Sequence, residues 1–169
     1  NKRVLLIDAD MRRGYMHKYF NLEVKPGLSE LLSQQAELSQ VLKKSEVPGL
    51  DVITHGKSPS NPSELLSLEQ FKLLLEQLSP QYDHIIIDTP PVLAVTDSII
   101  IAQYSGVNLV VARYAKTQIK ELELTISRFD QAGVKVNGFI LNDIQRTSGS
   151  SYGYGYNYAY AYKADKNSD

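Results

Sequence analysis

The order of apolar and polar residues along the chain predicts strands that alternate with helices. Five short apolar runs are typical of strands: VLLID (4–8), LDVIT (50–54), HIIID (84–88), VNLVVA (107–112) and VNGFIL (136–141). The runs that begin at Val4, His84 and Val107 are nearly continuous in Val, Ile and Leu. Continuous apolar runs of this length are typical of parallel strands that are covered on both faces.

Amphipathic segments between these runs predict helices. SLEQFKLLLEQLS opens with a Ser-x-x-Gln capping box formed by Ser67 and Gln70. TQIKELELTISRFDQAG has Thr117 as a possible N-cap and Gly133 as a stop signal, and GLSELL and ELSQVLKK predict two shorter helices. The apolar stripes of the two longer helices are Leu68, Phe71, Leu74, Leu75 and Leu78 in the first and Ile119, Leu122, Ile126 and Phe129 in the second. Strands alternating with helices indicate an α/β fold with a mostly parallel sheet and helices on both faces.

The composition divides the chain into a domain, residues 1–145, and a biased C-terminal region, residues 146–169. RTSGSS is a predicted linker, and the segment after it places tyrosines at every second position with only Gly, Asn and Ala between them. Alternation fits a half-buried strand, although Gly and Ala disfavour one. The same pattern also fits an aggregation-prone tract or a set of accessible phenols that enter another molecule's pocket. The six tyrosines are Tyr152, Tyr154, Tyr156, Tyr158, Tyr160 and Tyr162.

Composition and charge exclude several classes of function. Apolar residues make up 43% and charged residues 22%, as in ordinary globular proteins. A net charge of −1 gives no general attraction to nucleic acid or anionic lipid, and the absence of cysteine excludes disulfides and thiolate sites. No apolar run reaches the roughly 18 residues that a membrane span needs. The chain begins at Asn1 directly before an apolar run, so we expect it to be part of a longer protein, and membrane segments upstream stay open.

Carboxylates follow two of the predicted strands at the edge where parallel sheets bind ligands. Asp8 and Asp10 end VLLIDAD, and Asp88 ends HIIID. Residues two apart on a strand point to the same side, so Asp8 and Asp10 can face one crevice. An apolar strand that ends in Asp is the Walker B pattern, which holds Mg²⁺ in nucleotide hydrolases. Three acids at one edge repel one another unless a cation lies among them, and hard oxygen ligands favour Mg²⁺.

Other candidate residues are weaker. No G-x-x-x-x-G-K-[ST] phosphate loop occurs in the chain, and we expect that loop to lie just before Asn1. Arg12 and Arg13 follow the acids and are candidates for contact with phosphate or with a neighbouring subunit, or else are solvated surface residues. His84 is predicted to be structural, and His17 and His55 have no metal-ligand spacing.

The ordered set of motifs resembles the cytoplasmic kinase domain of the bacterial tyrosine kinases, the polysaccharide co-polymerase kinases of capsule and exopolysaccharide export. The resemblance rests on VLLIDADMRRG, PGLSELL, NPSELL, YDHIIIDTPPVLAVTDS, VNGFILND and the tyrosine-rich tail. IDAD resembles the family's second Walker motif, and IIIDTPP resembles its Walker B motif. Both motifs are shared with the other deviant-Walker P-loop ATPases, so the tyrosine tail is what singles the family out.

The resemblance implies roles for individual residues. Asp8 would accept the proton of the attacking tyrosine, Asp10 would orient metal or nucleophile, and Asp88 would bind Mg²⁺. Asn142 would read the adenine edge, although a strand-end Asn that forms a turn is the alternative. The tail tyrosines would be phosphorylated by a neighbouring subunit.

The implied reaction context is ATP-dependent tyrosine autophosphorylation with Mg²⁺ in a homo-oligomer. The resemblance further implies a cytoplasmic domain at the bacterial inner membrane, a partner tyrosine phosphatase, a membrane activator or co-polymerase region and no nucleic acid. Two alternatives stay open. One is a partition- or septum-site-type ATPase switch, which has no use for a tyrosine tail. The other is a non-catalytic assembly module, if a phosphate loop is truly absent.

Overall fold

The computed structural model describes residues 2–144, so the predicted linker and all six tail tyrosines lie outside the described residues. The strands are β1 (Val4–Asp8), β2 (Leu42–Lys44), β3 (Leu50–Ile53), β4 (His84–Asp88), β5 (Leu109–Arg113) and β6 (Gly138–Asn142). The helices are α1 (Met16–Tyr19), α2 (Leu28–Leu32), α3 (Leu38–Val41), α4 (Pro62–Ser67), α5 (Glu69–Leu78), α6 (Asp97–Ala102) and α7 (Ile119–Gln131). The predicted α/β class is confirmed.

The strands form two sheets among the described residues. The larger sheet has the order β2-β3-β1-β4, and the smaller one pairs β5 with β6. β1 runs parallel to both β3 and β4, β5 runs parallel to β6, and β2 is antiparallel to β3. The larger sheet is therefore mostly parallel, as predicted, and β1, which ends in Asp8, is one of its two interior strands.

The main core lies between the larger sheet and the helices that pack on it. Leu5 and Ile7 of β1 are completely buried, together with Phe71 and Leu78 of α5. Burying side chains of this size stabilises a fold by about 1.5–3 kcal/mol each. A smaller cluster, formed by Ala102, Phe129 and Val134, joins α6 to α7 and the second sheet. The β1 strand is thus anchored on the core immediately before its carboxylates.

The prediction that three apolar strands are covered on both faces is wrong for two of them in the described part of the chain. Ile86 of β4 keeps 54% of its surface exposed and Val111 of β5 keeps 60%, whereas β1 is largely buried. The physical reason is that β4 pairs with β1 alone and β5 with β6 alone among the described strands. Each of these strands leaves one edge unpaired within residues 2–144, and Ile86, Leu109 and Val111 stay exposed.

Two of the predicted helix starts and one predicted helix are also corrected. Ser67 does not cap α5, because it is the last residue of α4 and its hydroxyl donates to the Ser63 carbonyl at 2.8 Å. Thr117 does not cap α7, because its hydroxyl accepts the Arg113 amide at 2.8 Å and Gln118 takes the N-cap position. The segment ELSQVLKK forms a helix only to Val41 and then continues as β2.

Candidate functional site

Strand pairing brings two of the predicted acids directly together. In the register of β1 with β4, Asp8 lies opposite Asp88 at the carboxyl ends of the two strands. The next residue, Ala9, still donates its amide to the Asp88 carbonyl at 2.9 Å. The backbone after β1 is therefore tied to the Asp88 strand, and both carboxylates lie at one edge of the sheet.

The Asp8 side chain is completely buried beneath this edge. Its Oδ2 atom accepts the Met16 amide at 3.1 Å, while Oδ1 has no hydrogen-bond partner within residues 2–144. Burial raises the pKa of Asp8, and the charge of Asp10 raises it further, although the Met16 amide acts in the opposite direction. A buried carboxylate with an unused oxygen and a raised pKa is suited to accept a proton.

Asp10 and Asp88 are placed to act on a charged ligand. Asp10 Oδ1 accepts the amides of Arg12 at 3.1 Å and Arg13 at 2.9 Å, which fold the backbone into a tight turn around the carboxylate. Burial, followed by the charges of Asp8 and Asp10, raises the pKa of Asp88 to about 6. The charges of Asp8 and Asp10 thus destabilise the charged form of Asp88, which is the condition that a bound cation relieves.

The donor chemistry of this edge fits Mg²⁺. All three candidates offer hard carboxylate oxygens, and Asp8 retains an unpartnered buried oxygen. No group of three Asp, Glu or His side chains in the described part of the chain is arranged to hold a metal by itself. Mg²⁺ usually binds proteins through one or two carboxylates together with water and substrate phosphates. Asp88 and Asp10 are the residues that would hold it, and its chemistry there would be neutralisation of phosphate charge.

Sequence reasoning missed two groups that enclose Asp8. His55 is almost completely buried and its ring lies 5.5 Å from that of His17, with both Nδ1 atoms lacking a partner in the described residues. Burial, with the charge of His17 as the next cause, lowers the pKa of His55. Gly14 lies between the His55 ring and the Asp8 carboxylate, where a Cβ atom would overlap both. The glycine that directly follows the turn around Asp10 was the sequence feature that could have indicated this close approach.

Replacing Gly14 with alanine is expected to lower the free energy of unfolding by roughly 1–3 kcal/mol, because the new methyl group overpacks the space between His55 and Asp8. Gly106→Ala is the matched control, since a Cβ atom at that position meets nothing within 4 Å. Urea unfolding of both variants measures the difference. Equal midpoints for the two alanine variants would show that Gly14 does not fill a tight contact.

The side chains of the arginines after Asp10 occupy different environments. Arg12 donates from Nε to Asp97 Oδ2 at 3.0 Å and from Nη2 to Asp97 Oδ1 at 3.3 Å, and this contact raises its pKa. Arg13 is exposed. In this structure the Arg12 guanidinium is bound to Asp97. The predicted contact of Arg12 with a bound nucleotide stays a prediction.

The remaining predicted site residues lie elsewhere. Asn142 ends β6 in the second sheet, where its Oδ1 accepts the Asp143 amide at 2.8 Å and its carbonyl accepts the Tyr114 amide at 2.8 Å. Its role in adenine recognition stays a prediction. His84 is exposed at the start of β4, away from the acids.

Comparison with known proteins places this arrangement in a family. The profile of a family described as an AAA domain matches residues 1–138. The chain is 74% identical over 148 residues to the tyrosine-protein kinase ptk of Acinetobacter johnsonii, covering 88% of this chain and 20% of that protein. It is similar to the kinase domain of VpsO, with a TM-score of 0.80 and 36% identity, covering 85% of this chain and 71% of that structure. The chain belongs to the bacterial tyrosine kinase family.

The structure of another family relative, the kinase domain of Escherichia coli tyrosine kinase ETK, is also similar to this chain. That comparison gives a TM-score of 0.83 and 44% identity, and it covers 90% of this chain and 61% of that one. The chain spans about a fifth of the length of the curated tyrosine kinases that it matches. Within residues 2–144, no helix combines the length and apolar character that crossing a membrane requires.

A more distant likeness supports the fold of this tyrosine kinase family member. The cell-division ATPase MinD of Pyrococcus furiosus has a TM-score of 0.69 and 18% identity, covering 87% of this chain and 62% of that one. At this identity the likeness shows a shared fold alone. The predicted deviant-Walker P-loop fold is confirmed.

Proposed function

We propose that the longer protein containing this chain is an ATP-dependent tyrosine autokinase that phosphorylates the C-terminal tyrosine cluster of a neighbouring subunit. The observation that carries the proposal is the alignment of Asp8 with Asp88 across β1 and β4, with Asp10 adding its charge to both. The tail supplies the second requirement, six phenols at alternating positions after a short polar segment. A tethered substrate needs no tight binding, because the tether raises its concentration at a nearby site.

The proposed transfer assigns one step to each group. A tail tyrosine has an unperturbed pKa of about 10, so its oxygen becomes nucleophilic as the O–H proton passes to Asp8. The phenol oxygen forms a bond to the γ-phosphorus of ATP, and the bond from that phosphorus to the bridging oxygen breaks, releasing ADP. Asp10 and Asp88 would hold Mg²⁺, which would supply neutralisation of phosphate charge. Asn142 and Arg12 are proposed to contact the nucleotide.

We propose that the phosphate-binding loop lies in another segment of the longer protein, because these 169 residues do not contain the motif. Two observations support this. β4 and β5 each leave an edge without a strand partner in the described part of the chain, and both carry exposed apolar side chains there. The solved ETK kinase domain also contains sequence beyond the part that this chain matches. The alternative of a non-catalytic module loses its main support if that segment carries the loop.

The cellular role proposed for the longer protein is control of capsular or extracellular polysaccharide synthesis and export. One relative is a putative tyrosine-protein kinase in the cps region of Klebsiella pneumoniae, 45% identical over 165 residues. We place the kinase domain on the cytoplasmic side of the bacterial inner membrane. Its proposed partners are further copies of itself, a tyrosine phosphatase and a membrane activator or co-polymerase region.

A mixing experiment tests the proposal. An Asp8→Asn variant of the complete protein, with its tail intact, is combined with an active variant that lacks residues 146–169, and radiolabelled ATP is added. We expect phosphotyrosine on the tail of the Asp8→Asn chain, because only transfer between subunits can place it there. ATP hydrolysis with no phosphotyrosine would support the partition-type ATPase instead. Neither hydrolysis nor labelling in the wild type would support the non-catalytic module.

A further inference from the structure

A buried acid outside the predicted set holds the turn that carries Asp10. Asp97, the first residue of α6, is completely buried and receives a two-pronged contact from the Arg12 guanidinium, with N–O distances of 3.0 and 3.3 Å. The Ser63 hydroxyl donates to the same carboxylate at 2.5 Å. A buried carboxylate is stable in its charged form only when its oxygens are satisfied in this way. Planar guanidinium groups favour such paired contacts and fix the direction of both side chains.

The contact joins the two acid-bearing segments of the site. On one side, the amides of Arg12 and Arg13 donate to Asp10 Oδ1, so the backbone of Arg12 is hydrogen-bonded to the Asp10 carboxylate. On the other side, Asp97 ends the loop that begins after Asp88. Ser98, its neighbour, also fixes that loop, because its hydroxyl donates to the Pro90 carbonyl. Arg12 thus contacts Asp10 through its backbone and Asp97 through its side chain.

We propose that Asp97, by binding the Arg12 guanidinium together with Ser63, is a positioning residue that fixes the Asp10 turn relative to the loop after Asp88. The inference deepens the proposed function, on whose phosphoryl transfer its kinetic consequence rests. Asp97 has no direct part in the chemistry, since it is buried beneath Arg12 and its oxygens are used within the protein. Its effect is on where the Asp10 carboxylate lies.

Hydrogen exchange in the complete protein tests this positioning without requiring activity. In Asp97→Asn, the new amide places a donor against the Arg12 and Ser63 donors, so the paired contact is lost. We expect the amides of Arg12 and Arg13 to exchange at least about tenfold faster, while the β1 and β3 amides keep their wild-type rates. Arg12→Lys keeps the positive charge but cannot make two parallel contacts with Asp97, so the Arg13 amide and the amide of the new lysine should exchange at an intermediate rate. Glu76→Gln is the matched control, since it removes the exposed Lys72–Glu76 pair.

Steady-state kinetics of the same variants separate positioning from stability. Misplacement of a reacting group by about 1 Å can cost a hundredfold in rate. We expect Asp97→Asn to lower kcat at least about tenfold per folded molecule, with the KM for ATP changed less than about threefold. Arg12→Ala and Asp97→Ala combined should cost less than the product of their separate effects, because either change alone already breaks the contact.

The outcomes are distinct for the inference and for the proposed function. Unchanged exchange at Arg12 and Arg13 in Asp97→Asn would overturn the inference, and so would faster exchange that extends equally to β1. If the wild-type protein phosphorylates its tyrosines and Asp97→Asn has the same kcat, the inference is also overturned. If the wild type forms no phosphotyrosine, the proposed function fails, and the exchange rates still decide whether Asp97 positions the turn.

Discussion

Asp88→Asn is expected to stabilise the domain at neutral pH while it removes most tyrosine phosphorylation. The pKa of Asp88 is raised to about 6 by burial and by the charges of Asp8 and Asp10, so its charged form is unfavourable in the folded protein. The neutral amide removes that repulsion, for a gain of about 1–2 kcal/mol in the free energy of unfolding after allowance for solvent screening at this partly exposed group. The same change removes a proposed Mg²⁺ ligand, for which we expect at least a hundredfold loss of labelling.

The contribution of Asp88 to the free energy of unfolding depends on pH, and the direction follows from its raised pKa. The carboxyl binds its proton more tightly in the folded state, at about 6, than in the unfolded state, at the ordinary value of 3.8. The folded state therefore holds more protons between these values, and this group's contribution to stability falls as pH rises from 3.8 through 6. Well above pH 6 the carboxyl is charged in both states, and the full cost of holding the charged Asp88 in the folded protein is present. Wild type and Asp88→Asn should differ little near pH 3.5 and most above pH 6.5.

Urea unfolding from pH 3.5 to pH 8 measures the effect on a fragment with the length of the solved kinase domains, and tyrosine labelling is measured on the complete protein. Asp130→Asn on the exposed side of α7 is the control and should change neither quantity. Asp8→Asn should also lose labelling, because the proposed proton acceptor is gone, and its buried amide should not weaken the fold greatly. Normal labelling of both Asp8→Asn and Asp88→Asn would place the chemistry elsewhere.

Local sequence predicted the strands of the site well, and the reason is visible in their pairing. β1 and β4 are apolar runs that end in Asp, and both predicted limits match the structure because the two runs pair along their whole length and each Asp stands at the end of the pairing. β2 could not be predicted, since it contains two lysines. Lys43 is held in that strand by tertiary contacts, with Nζ donating to the Pro26 carbonyl at 2.6 Å and to Thr54 Oγ1 at 2.5 Å. Such partners, 11 and 17 residues away, leave no local pattern.

The carboxylates of the site were predictable, whereas their supports were not. Asp8, Asp10 and Asp88 stand at strand ends, where topology alone predicts convergence. Asp97 looks in sequence like an ordinary acid in the first turn of a helix, a position that the helix dipole favours. Its complete burial against Arg12 becomes visible only when α4, α6 and the turn after β1 are assembled. The sequence contains the charges, but their pairing over 85 residues is a property of the fold.

Replacing all six tail tyrosines with phenylalanine is expected to keep the complete protein in its assembled state in the presence of ATP. Each phosphotyrosine adds about −1.5 to −2 charges at pH 7, so six add roughly −9 to −12, compared with a net charge of −1 for the whole chain. Repulsion between phosphorylated tails, and between the tails and the Asp8–Asp88 edge, is about 1 kcal/mol per close pair in water. Several such pairs are enough to loosen a modest subunit interface, and the phenylalanine tail cannot acquire them.

Sedimentation with and without ATP measures this switch. Wild type should sediment as an oligomer without ATP and as smaller species after phosphorylation, whereas the phenylalanine variant should not respond. Changing the six tyrosines to glutamate tests the charge without the kinase, because it takes the formal net charge from −1 to −7. That variant should dissociate without ATP, and more so at low salt, where repulsion is least screened. An oligomer of one size for all three proteins at low salt would show that tail charge does not control assembly, while the tail could still be a substrate.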